Sequence, residues 1–285
     1  MTEHVRADTE ALVIRRADGA GASGVVVGAA TDVGRLRTVN EDGYLAIAPA
    51  FVVVDGMGGH AAGRMATQVA LDSLYSLAGT TVTDVETVVR SVMAAQEAIV
   101  AIPSHAAYLP GATIAGVVLA WMEDEQGIAR PTWIIFNIGD ARVYLLRDDM
   151  LSQVTRDHSR VQILIETGEL TPEQARRDPR RNVVTRALGG GIADSAVPDL
   201  YSVPVAAGDR LLICSDGLSD ELDDEAIATV LAAGYTAQRT AELLVAASLE
   251  GGGHDNTTAV VVDSAGTPAL APAVVPGDAS TQEVL

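Results

Sequence analysis

Four apolar runs follow one another between residues 112 and 157: ATIAGVVLAW, TWIIFNIGD, ARVYLLRD and LSQVTRD. Each has strand length and strand composition. The polar gaps between them are too short for the crossover of roughly a dozen residues that neighbouring parallel strands require. This part of the chain is therefore committed to antiparallel sheet. Further strands are expected at GVVVGAATD (24–32), YLAIAPAFVVVDG (44–56), RLLICSDG and DNTTAVVVD. Apolar residues recur at helical spacing over 60–79 and 84–102, and again in DDEAIATVLAAG and AQRTAELLVAASLE. Strand runs interrupted by helix pairs predict antiparallel sheets in an α+β layered fold.

The 285 residues are 48% hydrophobic, enough for one large core. No apolar run approaches the ~18 residues of a membrane span, and the polar start MTEHVRADTE lacks a signal-peptide core. A cytoplasmic monomer is the expectation. A formal net charge of −19 argues against nucleic acid and anionic membrane as partners. Cys214 is the one cysteine, so no internal disulfide and no cysteine-rich zinc site can form. All 19 basic residues are arginine. Mechanisms that need a lysine, those of P-loop ATPases, protein kinases and Schiff-base enzymes, are excluded.

Residues 1–20 read as a flexible lead-in, 21–264 as one domain, and the Pro/Ala-rich stretch 265–285 as a disordered tail. Residues 157–197 read as polar and helical without a clear core face.

Aspartates sit where the apolar runs stop. FVVVD closes on Asp55, IIFNIGD on Asp140 and LLICSD on Asp216, while Asp255 opens HDNTTAVVV. One such junction is a turn. Four are carboxylates aimed at a common rim, because antiparallel strands bring either end to one edge. Glu41 and Asp42, in RTVNEDGY, join them. Carboxylates with backbone carbonyls are the ligands Mg2+ and Mn2+ prefer, and two such ions can activate a shared water and hold phosphate oxygens. Gly56, lacking a side chain, lets its backbone approach such an ion.

The motifs RTVNED (37–42), VVDGMGGH (53–60), NIGDARVYLLR (137–147), VTRDHSRVQ (154–162), CSDGLSDEL (214–222) and GGGHDNTTAVVV (251–262) occur in one order over about residues 25–263. In this the chain resembles the bacterial metal-dependent Ser/Thr protein phosphatases, the protein phosphatase 2C-like family. The resemblance implies a four-layer αββα sandwich, two stacked antiparallel sheets flanked by helix pairs with a helical flap, and hydrolysis of phosphoserine and phosphothreonine by direct attack of a water bridging two Mn2+ or Mg2+ ions. It implies that Asp55 bridges the ions, that Asp216 and Asp255 complete one shell, and that Glu41 and the Gly56 carbonyl serve the other. Asp42 would hold a metal-bound water. Asp140, shared with Asp216, would hold a third ion, with Asp220 a further contributor. Arg37 would clamp the phosphate with its guanidinium fork. Animal members carry a histidine where this chain has Met57, and a thioether cannot protonate a leaving group. His60 is read as opening a helix, and His158 and His254 as non-catalytic.

Residues 157–197 match the family's flap segment, and Arg156, Arg160, Arg176, Arg177, Arg180, Arg181 and Arg186 gather in or beside it. They read either as salt bridges on an exposed surface or, with Arg160, Arg176 and Arg177 foremost, as a docking surface for a phosphorylated or acidic partner. A Ser/Thr kinase, its targets or a sigma-factor regulator are compatible substrates. The rival readings are a phosphoprotein-binding module on the same fold and a phosphatase for small-molecule phosphates.

Overall fold

A computed structural model describes residues 24–103, 109–192 and 197–264 of the chain; the expected lead-in (1–20) and tail (265–285) lie outside them. The first sheet runs β1 (Val25–Asp32), β11 (Thr257–Ser264), β10 (Arg210–Cys214), β6 (Arg142–Arg147), β7 (Met150–Gln153). The second runs β2 (Asp42–Ile47), β3 (Ala50–Met57), β4 (Gly111–Glu123), β5 (Ala129–Ile138), β9 (Asp199–Pro204), with the short β8 (Leu188–Gly189) paired to β4. All these strands pair antiparallel, as the closely spaced apolar runs require.

Strand alternation explains the layers. In β3, Phe51 and Val53 enter the core between the sheets, where they meet Trp133, Ile135, Val143, Ile213 and Val260. Val52 and Val54, one position out of phase, enter the core under α1 (His60–Leu74) and α2 (Val85–Val100). Both faces are apolar, so the strand reads as an unbroken hydrophobic run. On the far side, α6 (Asp224–Ala232) and α7 (Ala237–Gly251) cover the first sheet through Leu212, Cys214, Leu244 and Val261. The αββα sandwich expected from the sequence is the architecture observed. Asp84, Asp223 and Thr236 cap α2, α6 and α7 by accepting the N–H groups of Thr87, Ala226 and Arg239.

Four expectations are corrected. The run 44–56 is two strands, β2 and β3, joined at Ala48–Pro49; Pro49 has no N–H for a continuous ladder. Asp55 does not end its strand, because β3 continues through Met57. DLYSVP, read as nothing, is the edge strand β9, with one face half-buried and the other exposed. The segment 157–197 is not mainly helical among its described residues: these hold α3 (Arg160–Glu166) and α4 (Pro172–Ala175), with turns and β8 in the rest.

The sheets are tied together at the end away from the aspartates. Asp209, 1% exposed, precedes β10. Its carboxylate accepts from Trp133 Nε1 of the second sheet at 2.9 Å, from Arg147 Nε of the first at 2.6 Å, and from the Ala206 N–H at 2.9 Å. Removing one partner of a buried pair strands the other charge. Asp209→Ala should cost about 3 kcal/mol in urea unfolding; a loss under about 1 kcal/mol would mean that the tie carries no weight.

Candidate metal centre

The carboxylates converge because the two sheets present opposite strand ends to one rim. Asp55 of β3 stands directly opposite Asp42 of β2 in the ladder, with Thr113 of β4 on its other side. Asp140 lies in the turn after β5, and Asp216 follows β10 in the first turn of α5 (Asp216–Ser219). Asp255 precedes β11, which begins at Thr257 rather than at Asp255 as read from the sequence.

Like charges facing across a strand pair repel, so something must hold them. Asp42 Oδ2 accepts hydrogen bonds from Ser215 Oγ and Thr258 Oγ1 of the opposite sheet, both at 2.8 Å. Ser215 Oγ in turn accepts from the Thr258 N–H at 3.0 Å. Asp42 is thus a second tie between the sheets. Its other oxygen, Oδ1, is buried without a hydrogen-bond donor and has the Asp55 carboxyl beside it.

Desolvation, then the neighbouring charges, raise Asp55, Asp216 and Asp140, and burial raises Asp42. Burial, then the charges of Asp42, Asp216, Asp140 and Asp255, push the Asp55 carboxyl well above the usual carboxylate range. Burial, then Asp140, Asp220, Asp255 and Asp42, do the same to Asp216. Asp140 is pushed up to about 7 by burial and by Asp157, with Arg142 opposing. Asp42 is pushed up to about 6 by burial, against the bonds from Thr258 and Ser215. These groups are costly when ionised and have oxygen donors to offer, which suits a hard divalent cation. As the side chains stand, no group of three His, Cys, Asp or Glu among the described residues is closed enough to hold an ion by itself. A positive charge among them is Arg37, whose Nη2 donates to Asp255 Oδ2 at 2.6 Å and which also feels Glu41 and Asp216.

Glu41 and Gly56 meet at the first turns of α1. A Cβ on Gly63 would lie 2.6 Å from Glu41 Oε1 and 3.0 Å from the Gly56 carbonyl oxygen. A Cβ on Gly56 would lie 2.4 Å from the Gly63 carbonyl. Glycine at 56 is therefore set by helix packing as well as by backbone access. Met57 fills a hollow over two glycines; a Cβ on Gly111 or Gly190 would come within 2.7 or 2.6 Å of its Cε.

The flap arginines divide. Arg156 pairs with Glu166, Arg180 with Asp178, and Arg186 with Asp199. Arg181 Nε lies 3.4 Å from Asp220 Oδ2, and Arg176 Nη2 donates to the Asp220 carbonyl at 3.5 Å. Those two tie the flap to the rim beside Asp216. Arg160 and Arg177 are exposed and make no ion pair among the described residues. His158 is buried; its Nδ1 accepts from the Gly139 N–H at 3.1 Å and its Nε2 meets Asp199. His254 is exposed and paired with Glu221. Sequence reasoning missed Ser215, Thr258, Asn256 and Thr113. The first three lie inside quoted motifs; Thr113, which faces Asp55 across the ladder, carried no signal in the sequence.

The protein phosphatase 2C family model matches residues 35–251. The chain belongs to that family. It is 38% identical over 240 residues to the serine/threonine protein phosphatase PstP of Mycobacterium tuberculosis, covering 82% of this chain but 44% of that protein. Against the serine/threonine phosphatase stp of Listeria monocytogenes it is 34% identical over 244 residues, covering 82% of this chain and 93% of that one. A crystal structure of the catalytic domain of PstP in complex with two manganese ions superposes with a TM-score of 0.73 at 35% identity, covering 84% of this chain and 97% of that one. No helix among the described residues is long and apolar enough to cross a membrane.

The raised carboxyls set a sign for stability against pH. Their folded form binds protons that the unfolded form has released, so stability of the chelated protein falls as pH rises from about 4 through about 7. Chelated protein at pH 5 should be more stable than at pH 7.5 by on the order of 2 kcal/mol in urea unfolding, and excess Mn2+ should reverse the order. Equal or greater stability at pH 7.5 without metal would mean that the carboxylates do not crowd one another.

Proposed function

We propose that the chain hydrolyses phosphoserine and phosphothreonine on proteins with two Mn2+ or Mg2+ ions, through one catalytic domain over residues 21–264 carrying a flap at 157–197. The observation that carries the reading is Asp55 facing Asp42 in register while Asp216, Asp140 and Asp255 all raise its proton affinity. Asp55 would bridge the ions, Asp216 and Asp255 would complete one shell, and Glu41 with the Gly56 carbonyl the other. When bound, the ions supply an activated water and neutralise charge on the phosphoryl oxygens. Asp140, Asp216 and Asp220 would hold a third cation; Asp220 would then give up its pairing with Arg181.

The chain's own residues supply the rest. Asp42, held by Ser215 and Thr258, orients water at the floor. Arg37, more than a third exposed and swung onto Asp255, is placed to exchange that carboxylate for two phosphate oxygens. Met57, packed on Gly111 and Gly190, has no proton to give the leaving alcohol. Arg160 and Arg177, free of ion pairs among the described residues, and Arg176 at the flap–rim junction would meet acidic or phosphorylated flanks of the substrate. A Ser/Thr kinase or a phosphorylated sigma-factor regulator is the kind of protein such a site would serve.

Purified protein should cleave a phosphothreonine peptide only with Mn2+ or Mg2+ added. Asp55→Ala and Asp216→Ala should each lower kcat/KM at least about a thousandfold, about 4 kcal/mol of transition-state stabilisation. Arg37→Ala should act mainly on KM, raising it about tenfold. Undiminished turnover in Asp55→Ala, or no turnover in the parent with Mn2+, would contradict the reading; the second outcome would favour a phosphoprotein-binding module.

A further inference from the structure

Asn256 lies next to Asp255, and its side chain bonds to the loop that carries Arg37. Its amide is buried, 5% exposed, and makes three hydrogen bonds to that loop. Oδ1 accepts from the Glu41 N–H at 2.8 Å, and Nδ2 donates to the carbonyls of Val33 at 2.9 Å and Val39 at 3.0 Å. One N–H and two carbonyls surround the amide, so only one orientation satisfies it. Both ends of the 33–41 loop are fastened to a single side chain, with Arg37 between them. Two further contacts hold the loop on the same turn. The Arg35 N–H donates to the Gly253 carbonyl at 2.7 Å. Gly34, at φ +77°, packs so close that a Cβ would lie 2.2 Å from the Asp255 carbonyl oxygen. Glu41 is held from its other side as well, its carbonyl accepting from Thr67 Oγ1 at 2.7 Å.

We propose that Asn256 is the positioning residue for Arg37: by fixing both ends of the 33–41 loop on the turn that presents Asp255, it sets the guanidinium where phosphate must bind. This rests on the phosphate role proposed for Arg37. Asn256 touches no substrate itself. An aspartate in its place would keep the volume but turn an oxygen toward two carbonyls, and the loop would lift.

The test uses Asn256→Asp, Arg37→Ala and their combination in the Mn2+-loaded protein. Inorganic phosphate is the competitive probe, and backbone hydrogen exchange reports on the loop. In Asn256→Asp the Arg35 and Glu41 amides should exchange at least tenfold faster while the amides of β4 and β10 keep their protection. The inhibition constant for phosphate should rise about tenfold with kcat changed less than about threefold. Added to Arg37→Ala, Asn256→Asp should weaken phosphate by less than a further twofold, because the group it positions is gone. Losses that multiply in the combination, or unchanged loop exchange in Asn256→Asp, would overturn the proposal. Should Asn256→Asp not fold, Gly34→Ala lifts the same loop from the other side and should give the same pattern; retained phosphate affinity there would overturn it too. Failure of the functional reading is separable: it would show as phosphate affinity undiminished in Arg37→Ala alone, whereas loop exchange tests Asn256 whatever Arg37 does.

Discussion

Two carboxylates, Asp42 and Asp55, face each other across neighbouring strands, and much of the rim is organised to keep them there. A cross-strand pair of like charge is a liability in any sheet. Here it is held from outside its own sheet, by Ser215 and Thr258 across the sandwich. Those bonds do two jobs at once, closing the sheets over one rim and orienting the acid at its floor. The far rim is closed by a different device, the buried Asp209 between Trp133 and Arg147. Fixed at both ends, the sheets have little freedom to relieve the crowding by sliding apart, and burial, with the neighbouring charges added to it, raises the proton affinity of Asp55 and Asp216.

That raised proton affinity gives the site its appetite for cations. A metal ligand must be deprotonated, so a carboxyl that resists ionisation alone gains most when a divalent ion arrives. The same local chemistry explains the arginines. In a chain with 38 acidic residues and 19 arginines, Arg37, Arg176 and Arg181 lie on the acidic rim, touching Asp255 or Asp220. Others, such as Arg142 on Asp157, brace the turns behind it.

What the sequence revealed follows from which interactions are local. The layers were legible because strand and helix periods are written in successive residues, and close spacing left antiparallel pairing as the option. Asp55, Asp140, Asp216 and Asp255 were legible because a charge at the end of an apolar run is conspicuous. The break at Pro49 and the edge strand β9 were not: the first hides inside a continuous apolar run, and the second is half-buried on one face and exposed on the other. Asn256 and Thr258 sat in plain view within a quoted motif, yet their work lies in bonds to residues more than 200 positions away, which no local pattern encodes. Gly56 was read as an opening for an ion, and the structure adds a second reason, the close seat of α1.

Anomalous scattering from a crystal soaked in Mn2+ would examine the central claim most directly. The account predicts two peaks flanking the Asp55 carboxylate, with Asp216 and Asp255 around one and Glu41 with the Gly56 carbonyl around the other. Peaks elsewhere, or none within bonding distance of Asp55, would contradict it.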